Sequence, residues 1–178
     1  MDVLKVVVTG PESTGKTQLT ERLAEMFHTV WIPEYAREYV SGLGRPYHYD
    51  DVEHIAAEQV RREKQFASAA NGILFIDTHL IVTRVWFEVV YRRHPGWLDD
   101  AIRDAGIDLY LVCNTDIPWV PDGVRENGGE MRERLLQMYI DEIRNSGVAW
   151  RLVSGRGSRR TASAAEHVRS FMNSYKTQ

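Results

Sequence analysis

The stretch LKVVVTGPESTGKTQL, Leu4 to Leu19, decides how the chain is read. Leu4 to Thr9 is a continuous apolar, β-branched run, the pattern of a strand buried on both faces. Gly10-Pro-Glu-Ser-Thr-Gly15-Lys16-Thr17 follows at once and fits G-x-x-x-x-G-K-[ST] at every position. Leu19, Leu23 and Met26–Phe27 then repeat at helical spacing. A glycine-rich turn between a buried strand and a helix aims backbone N–H groups and the positive helix end at one point. That point suits a phosphate. Gly10, Glu12, Ser13, Thr14, Gly15, Lys16, Thr17 and Gln18 are therefore the expected contacts to nucleotide phosphates, with Ser13 and Thr14 also shaping the loop. Lys16 is expected at the β- and γ-phosphates, and Thr17 at a magnesium ion.

Outward from this loop, short apolar strands alternate with helical segments. Strands are expected at Thr29 to Ile32, Ile73 to Ile76, Ile107 to Cys113 and Val148 to Val153. Helices are expected from Asp50 to about Ala70, Leu80 to Tyr91, Leu98 to Ala105, a segment ending near Asn145, and Ala162 to Tyr175. The alternation implies an α/β fold with a five-stranded parallel sheet flanked by helices. Ligands of such sheets bind beyond the carboxyl ends of the strands, so the residues that follow each strand carry the chemistry.

Composition narrows the function classes. The 178 residues carry 43% hydrophobic and 26% charged side chains, and favour one domain over residues 1–178. A formal net charge of −3 provides no global basic field for nucleic acid. No apolar run approaches the ~20 residues that a membrane-spanning helix needs. The single cysteine, Cys113, rules out an internal disulfide and fits a cytoplasmic setting. It reads as a buried strand-end residue. Trp86, Phe87 and Tyr91 recur at helical spacing and read as core packing. The six histidines show no metal-ligand spacing.

Two carboxylates stand just past strands. Asp77, in LFIDTH, is expected to hold a water of the magnesium ion or a substrate hydroxyl. Glu34, after Pro33, is expected to align an acceptor hydroxyl and take its proton. Arg37, one helical turn on if a helix starts here, would orient Glu34 or meet a phosphate. Residues 116 to 134 are punctuated by prolines and glycines and read as a lid. Arg125, Arg132 and Arg134 would close it over the phosphates, with Arg125 catalytic; Trp119 and Asp122 would face the acceptor. SGRGSRR, from Ser154 to Arg160, would wrap a base with backbone contacts.

In this order, GPESTGKT, PEYAREY, FIDT and PWVPDGVR resemble the ribosylnicotinamide kinase domain of the bifunctional NadR proteins. The resemblance spans most of the chain. It implies a P-loop kinase of nucleoside-kinase type with a lid. It also implies transfer of the ATP γ-phosphate to the 5′-hydroxyl of nicotinamide riboside, with magnesium. The flat cationic pyridinium suits the aromatic faces of Trp119 and Tyr35 and the acids Glu34, Asp77 and Asp122. Bifunctional NadR proteins carry an adenylyltransferase domain ahead of this one, and some a DNA-binding segment. The chain begins at the P-loop strand, so the expectation is the kinase domain alone, a small riboside as its partner, and neither nucleic acid nor membrane. A deoxynucleoside or nucleotide kinase would use the same carboxylate after strand two. A P-loop ATPase switch acting on a protein partner would need no acceptor pocket.

Overall fold

A computed structural model describes residues 3–120 and 127–175. Five parallel strands form one sheet in the order β2-β3-β1-β4-β5. They are β1 (Leu4–Thr9), β2 (Trp31–Ile32), β3 (Ile73–Asp77), β4 (Leu109–Cys113) and β5 (Ala149–Val153). β1 is central, with Val8 opposite Asp77 of β3 and Thr9 opposite Val112 of β4. Hence the ends of β1, β3 and β4 meet along one edge.

Alternation along the strands divides the core into two layers. Val6 and Val8, with Phe75, Leu109 and Leu111, face Leu19, Leu23 and Ala24 of α1 (Lys16–Met26) and Ala164, Ala165 and Val168 of α7 (Gly157–Tyr175). Val7, Leu74, Ile76, Tyr110 and Val112 face the other side. There they pack on Phe66 and Ala67 of α3 (Tyr49–Ala67), Ile81 of α4 (Leu80–Tyr91) and Ile140 and Ile143 of α6 (Gly129–Ser146). A satellite cluster joins Val52 and Ala56 of α3, Leu80 and Phe87 of α4, and Leu98 of α5 (Trp97–Asp104).

The element order agrees with the pattern read from the sequence, and the differences have local causes. α2 (Tyr35–Gly42) follows β2 directly and has no buried residue. Eight residues give too short an apolar repeat to be read as a helix from the sequence. α3 starts at Tyr49 rather than at Asp50: His48 is the N-cap residue, and its N–H donates to the Asp51 carboxylate at 2.7 Å. α7 begins at Gly157, five residues before the expected Ala162, which puts Arg159 and Arg160 into its first turn. α6 begins at Gly129, so the last third of the expected lid is helix.

Candidate phosphoryl-transfer site

The loop after β1 closes tightly. Gly10, at φ 139°, lies so near the end of β4 that an added Cβ would sit 2.7 Å from the Cys113 carbonyl oxygen. No side chain fits there. Ser13 and Gly15 take left-handed backbone, at φ 59° and 72°. Thr14 is fully buried and donates to Pro11 O at 2.7 Å, and Ser13 Oγ accepts from Val120 N at 3.0 Å. Both residues thus shape the loop. Lys16 Nζ donates to Pro11 O at 3.0 Å, across the mouth of the turn. Gln18 is exposed on α1.

Asp77 closes β3 at 1% exposure, and its Oδ2 accepts from Thr17 Oγ1 at 2.5 Å. Burial, then the neighbouring Glu34 carboxylate, push Asp77 up to about 6. Lys16 and the hydroxyls of Thr17 and Thr78 pull the other way. The sheet thus brings Lys16, Thr17, Glu34 and Asp77 together from three separate strand ends. Thr17 and Asp77 are hard oxygen donors of the kind magnesium takes. Among the described residues no cluster of three or more His, Cys, Asp or Glu side chains stands ready for a metal.

Glu34 opens the second half of the site. A cavity of about 210 Å³ runs from Gly10, Glu12 and Lys16 past Glu34 and Arg37 to an aromatic end. Tyr47 and Trp86 meet edge to face there, with ring centroids 4.8 Å apart. Val82, Val89 and Val90 of α4, Met131, Leu135 and Tyr139 of α6 and Gln59 of α3 also line it. Gln59 is buried and its Oε1 accepts from Thr83 at 2.8 Å. The hydroxyl of Tyr139 is raised by burial, then by the charges of Glu12 and Glu34.

Several expected placements change. Tyr35 turns from the cavity: its hydroxyl lies 3.1 Å from His54, and the Arg62 guanidinium covers its ring at 4.3 Å. Trp119 packs on Gly128, where an added Cβ would lie 3.2 Å from the indole, and so brings together the two ends of the loop. Trp86 supplies the aromatic wall instead. Its helical spacing with Phe87 and Tyr91 read as core: Phe87 is fully buried, Trp86 and Tyr91 pack partly buried against the same cluster, and Trp86 lines the cavity as well. Glu12 is tied by its carboxylate to Asn127, whose N–H donates at 3.0 Å. Arg132 is buried and bonds loop carbonyls, so it is not a swinging lid arginine. Arg134 is exposed on α6, away from the cavity lining. Asp122 and Arg125 lie outside the described residues. The SGRGSRR segment is fastened rather than open: Gly155 N donates to Asp116 at 2.5 Å, and Arg156 to Asp116 O at 3.0 Å.

A family model described as an AAA domain matches residues 5–160, from β1 into α7. The chain belongs to this AAA_28 family. Within that frame it is 30% identical over 145 residues to the trifunctional NAD biosynthesis/regulator proteins NadR of Salmonella typhimurium and Escherichia coli. The match takes in 79% of this chain and 35% of each relative, so the chain spans about a third of their length. A NadR crystal structure in complex with NR superposes with a TM-score of 0.79 at 25% identity, covering 95% of this chain and 50% of that one. A thymidylate kinase from Ehrlichia chaffeensis superposes with a TM-score of 0.67 at 10% identity, over 97% of this chain and all of that one. The fold of this AAA_28 domain is thus a P-loop NTPase fold shared with NadR and nucleotide kinases. Among the described residues no helix is long and apolar enough to cross a membrane.

Proposed function

We propose that this chain is an ATP-dependent kinase that phosphorylates the 5′-hydroxyl of nicotinamide riboside, giving nicotinamide mononucleotide. The observation that carries the reading is the single cavity joining the P-loop to an aromatic-walled acceptor end, with Glu34 between them. A water-driven switch needs no such second chamber. Similarity to NadR, one of whose structures holds NR, supports the choice of riboside.

The residues divide the work. Backbone amides of the loop, Lys16 and Thr17 hold the donor phosphates. Thr17 and Asp77 would hold magnesium, which neutralises phosphate charge when bound. Glu34 stands where the acceptor hydroxyl must lie, accepts its proton and aligns its oxygen for in-line attack. Arg37, on the first turn of α2, faces the same cavity. The Trp86 and Tyr47 faces attract a flat cation, and the acids Glu12 and Glu34 add to its hold. Tyr139 closes the floor beside them.

A panel of nicotinamide riboside, nicotinic acid riboside, deoxynucleosides and thymidylate, each incubated with ATP and magnesium, tests this. Products are identified by mass. The expected outcome is nicotinamide mononucleotide, with ADP formed only when acceptor is present. Preferred phosphorylation of a deoxynucleoside or thymidylate would replace the substrate, and acceptor-independent hydrolysis would remove the kinase reading.

A further inference from the structure

Three consecutive carbonyl oxygens of the P-loop turn away from the cleft and into two buried guanidinium groups. Arg132, on α6, donates from Nε to Glu12 O at 3.0 Å and from Nη2 to Ser13 O at 3.0 Å. The same group reaches Thr115 O at 3.3 Å and Ile117 O at 2.7 Å, on the segment after β4. Arg160, in the first turn of α7, donates from Nη2 to Thr14 O at 2.6 Å and from Nη1 to Gly155 O at 3.2 Å. Its Nη1 lies 3.7 Å from Asp116. The two arginines are only 6% and 4% exposed. Arg160 Nε is buried with no partner among the described residues, so its environment is built around the two Nη groups.

A trans peptide sets its C=O and N–H on opposite sides of one plane. Holding the carbonyls of Glu12, Ser13 and Thr14 outward therefore turns the N–H groups of Ser13, Thr14 and Gly15 inward, where an anion is to sit. Something must hold them so. Ser13 is in a left-handed conformation that a β-carbon disfavours, and relaxation would rotate its peptide plane. A guanidinium suits the task better than an ammonium, because its planar fork spans two neighbouring carbonyls in fixed geometry. It also leaves positive charge behind the loop, on the side away from the phosphates.

We propose that Arg132 and Arg160 are a pair of positioning residues that hold the P-loop amides toward the ATP phosphates and lock the loop to both walls of the nucleotide cleft. The proposal rests on the donor half of the kinase reading and is independent of the acceptor.

The test is calorimetric titration of the full chain with AMP, ADP and the non-hydrolysable triphosphate AMP-PNP, in magnesium and without acceptor. Wild type is compared with Arg132→Lys, Arg160→Lys and the corresponding Met variants, with a thermal midpoint for each. The Lys variants keep the charge and the buried stem, and carry the test where a Met variant does not fold. Affinity is expected to fall more with each added phosphate, reaching about tenfold for AMP-PNP in each Lys variant and more in each Met variant. AMP affinity is expected to stay within about twofold. An equal loss for AMP and AMP-PNP would make the arginines general braces of the fold, and unchanged affinities with lowered thermal midpoints would do the same. Either result overturns the proposal. A wrong acceptor leaves these titrations untouched and shows only in the product panel.

Discussion

On the proposed reading, the donor and acceptor halves of this site are built in opposite ways. The donor loop is eight residues of continuous chain, pressed so closely on Cys113 that only glycine fits at Gly10, and held from behind by Arg132 and Arg160. The acceptor end is gathered from α2, α3, α4 and α6 and the segment carrying Tyr47, and α2 contributes no buried residue at all. The loop's backbone is fixed by contacts on both sides, the Cys113 carbonyl in front of Gly10 and the guanidinium groups behind residues 12 to 14. On that reading the acceptor end must admit and release a small molecule; its walls are side chains from four helices, of which α3, α4 and α6 are anchored in the core and only α2 buries nothing.

This contrast can be broken at its strongest point first. Lys16→Met removes the only lysine in the cavity lining. Turnover is expected to fall by about a thousandfold or more, because the charge it supplies is needed most in the transition state. A coupled ADP-release assay measures it. Glu34→Gln acts on the acceptor side of the chemistry. A loss of about a hundredfold or more in kcat is expected, with AMP-PNP affinity unchanged by calorimetry. Near-normal turnover would assign the proton to another group, Asp77 first.

Trp86→Ala should separate the two halves without touching chemistry. The acceptor KM is expected to rise about tenfold while the ATP KM stays put, since only the aromatic wall is lost. Steady-state kinetics in both substrates read this out. An equal rise in both would mean that the halves are mechanically joined.

The smallest effect is thermodynamic. Asp77 is raised from 3.8 to about 6 in the folded chain. Between these values the folded state binds the extra proton, so the contribution of Asp77 to stability falls as pH rises through that window. Asp77→Asn removes this contribution. The difference in denaturation midpoint between variant and wild type should therefore grow in favour of the variant from pH 4 to pH 6, and level off above. If Asp77 holds magnesium as proposed, it must ionise to do so, and wild-type turnover should then rise with pH through about 6. A flat difference across the window would mean that Asp77 is not raised in the folded chain.

The sequence was most legible where one short segment carries its own reason. The strand, loop and helix of residues 4 to 26 could be read directly because hydrophobic runs, glycine placement and helical period act over neighbouring residues. Asp77 and Glu34 were found by a topological rule, that ligands lie beyond strand ends, and the parallel register puts them there. Trp86 was missed because its periodicity is the same whether a ring faces the core or a cavity. Tyr35 was misplaced because nothing near it in sequence shows that Arg62 and His54, on α3, would cover it. Arg132 and Arg160 were seen as arginines of a lid and a base-binding turn. Nothing in their neighbourhoods marks them as buried.

By itself, then, the sequence determined the α/β order, the phosphate-cradling loop and the two acids at the strand ends, because each follows from local pattern or from the rules of parallel sheets. Tertiary structure alone decided which aromatic rings wall the acceptor end and which arginines stand behind the loop. Those assignments depend on which way side chains turn between α3, α4, α6 and α7. That is fixed by long-range packing, where a residue's partner lies as far away as the 146 positions between Thr14 and Arg160.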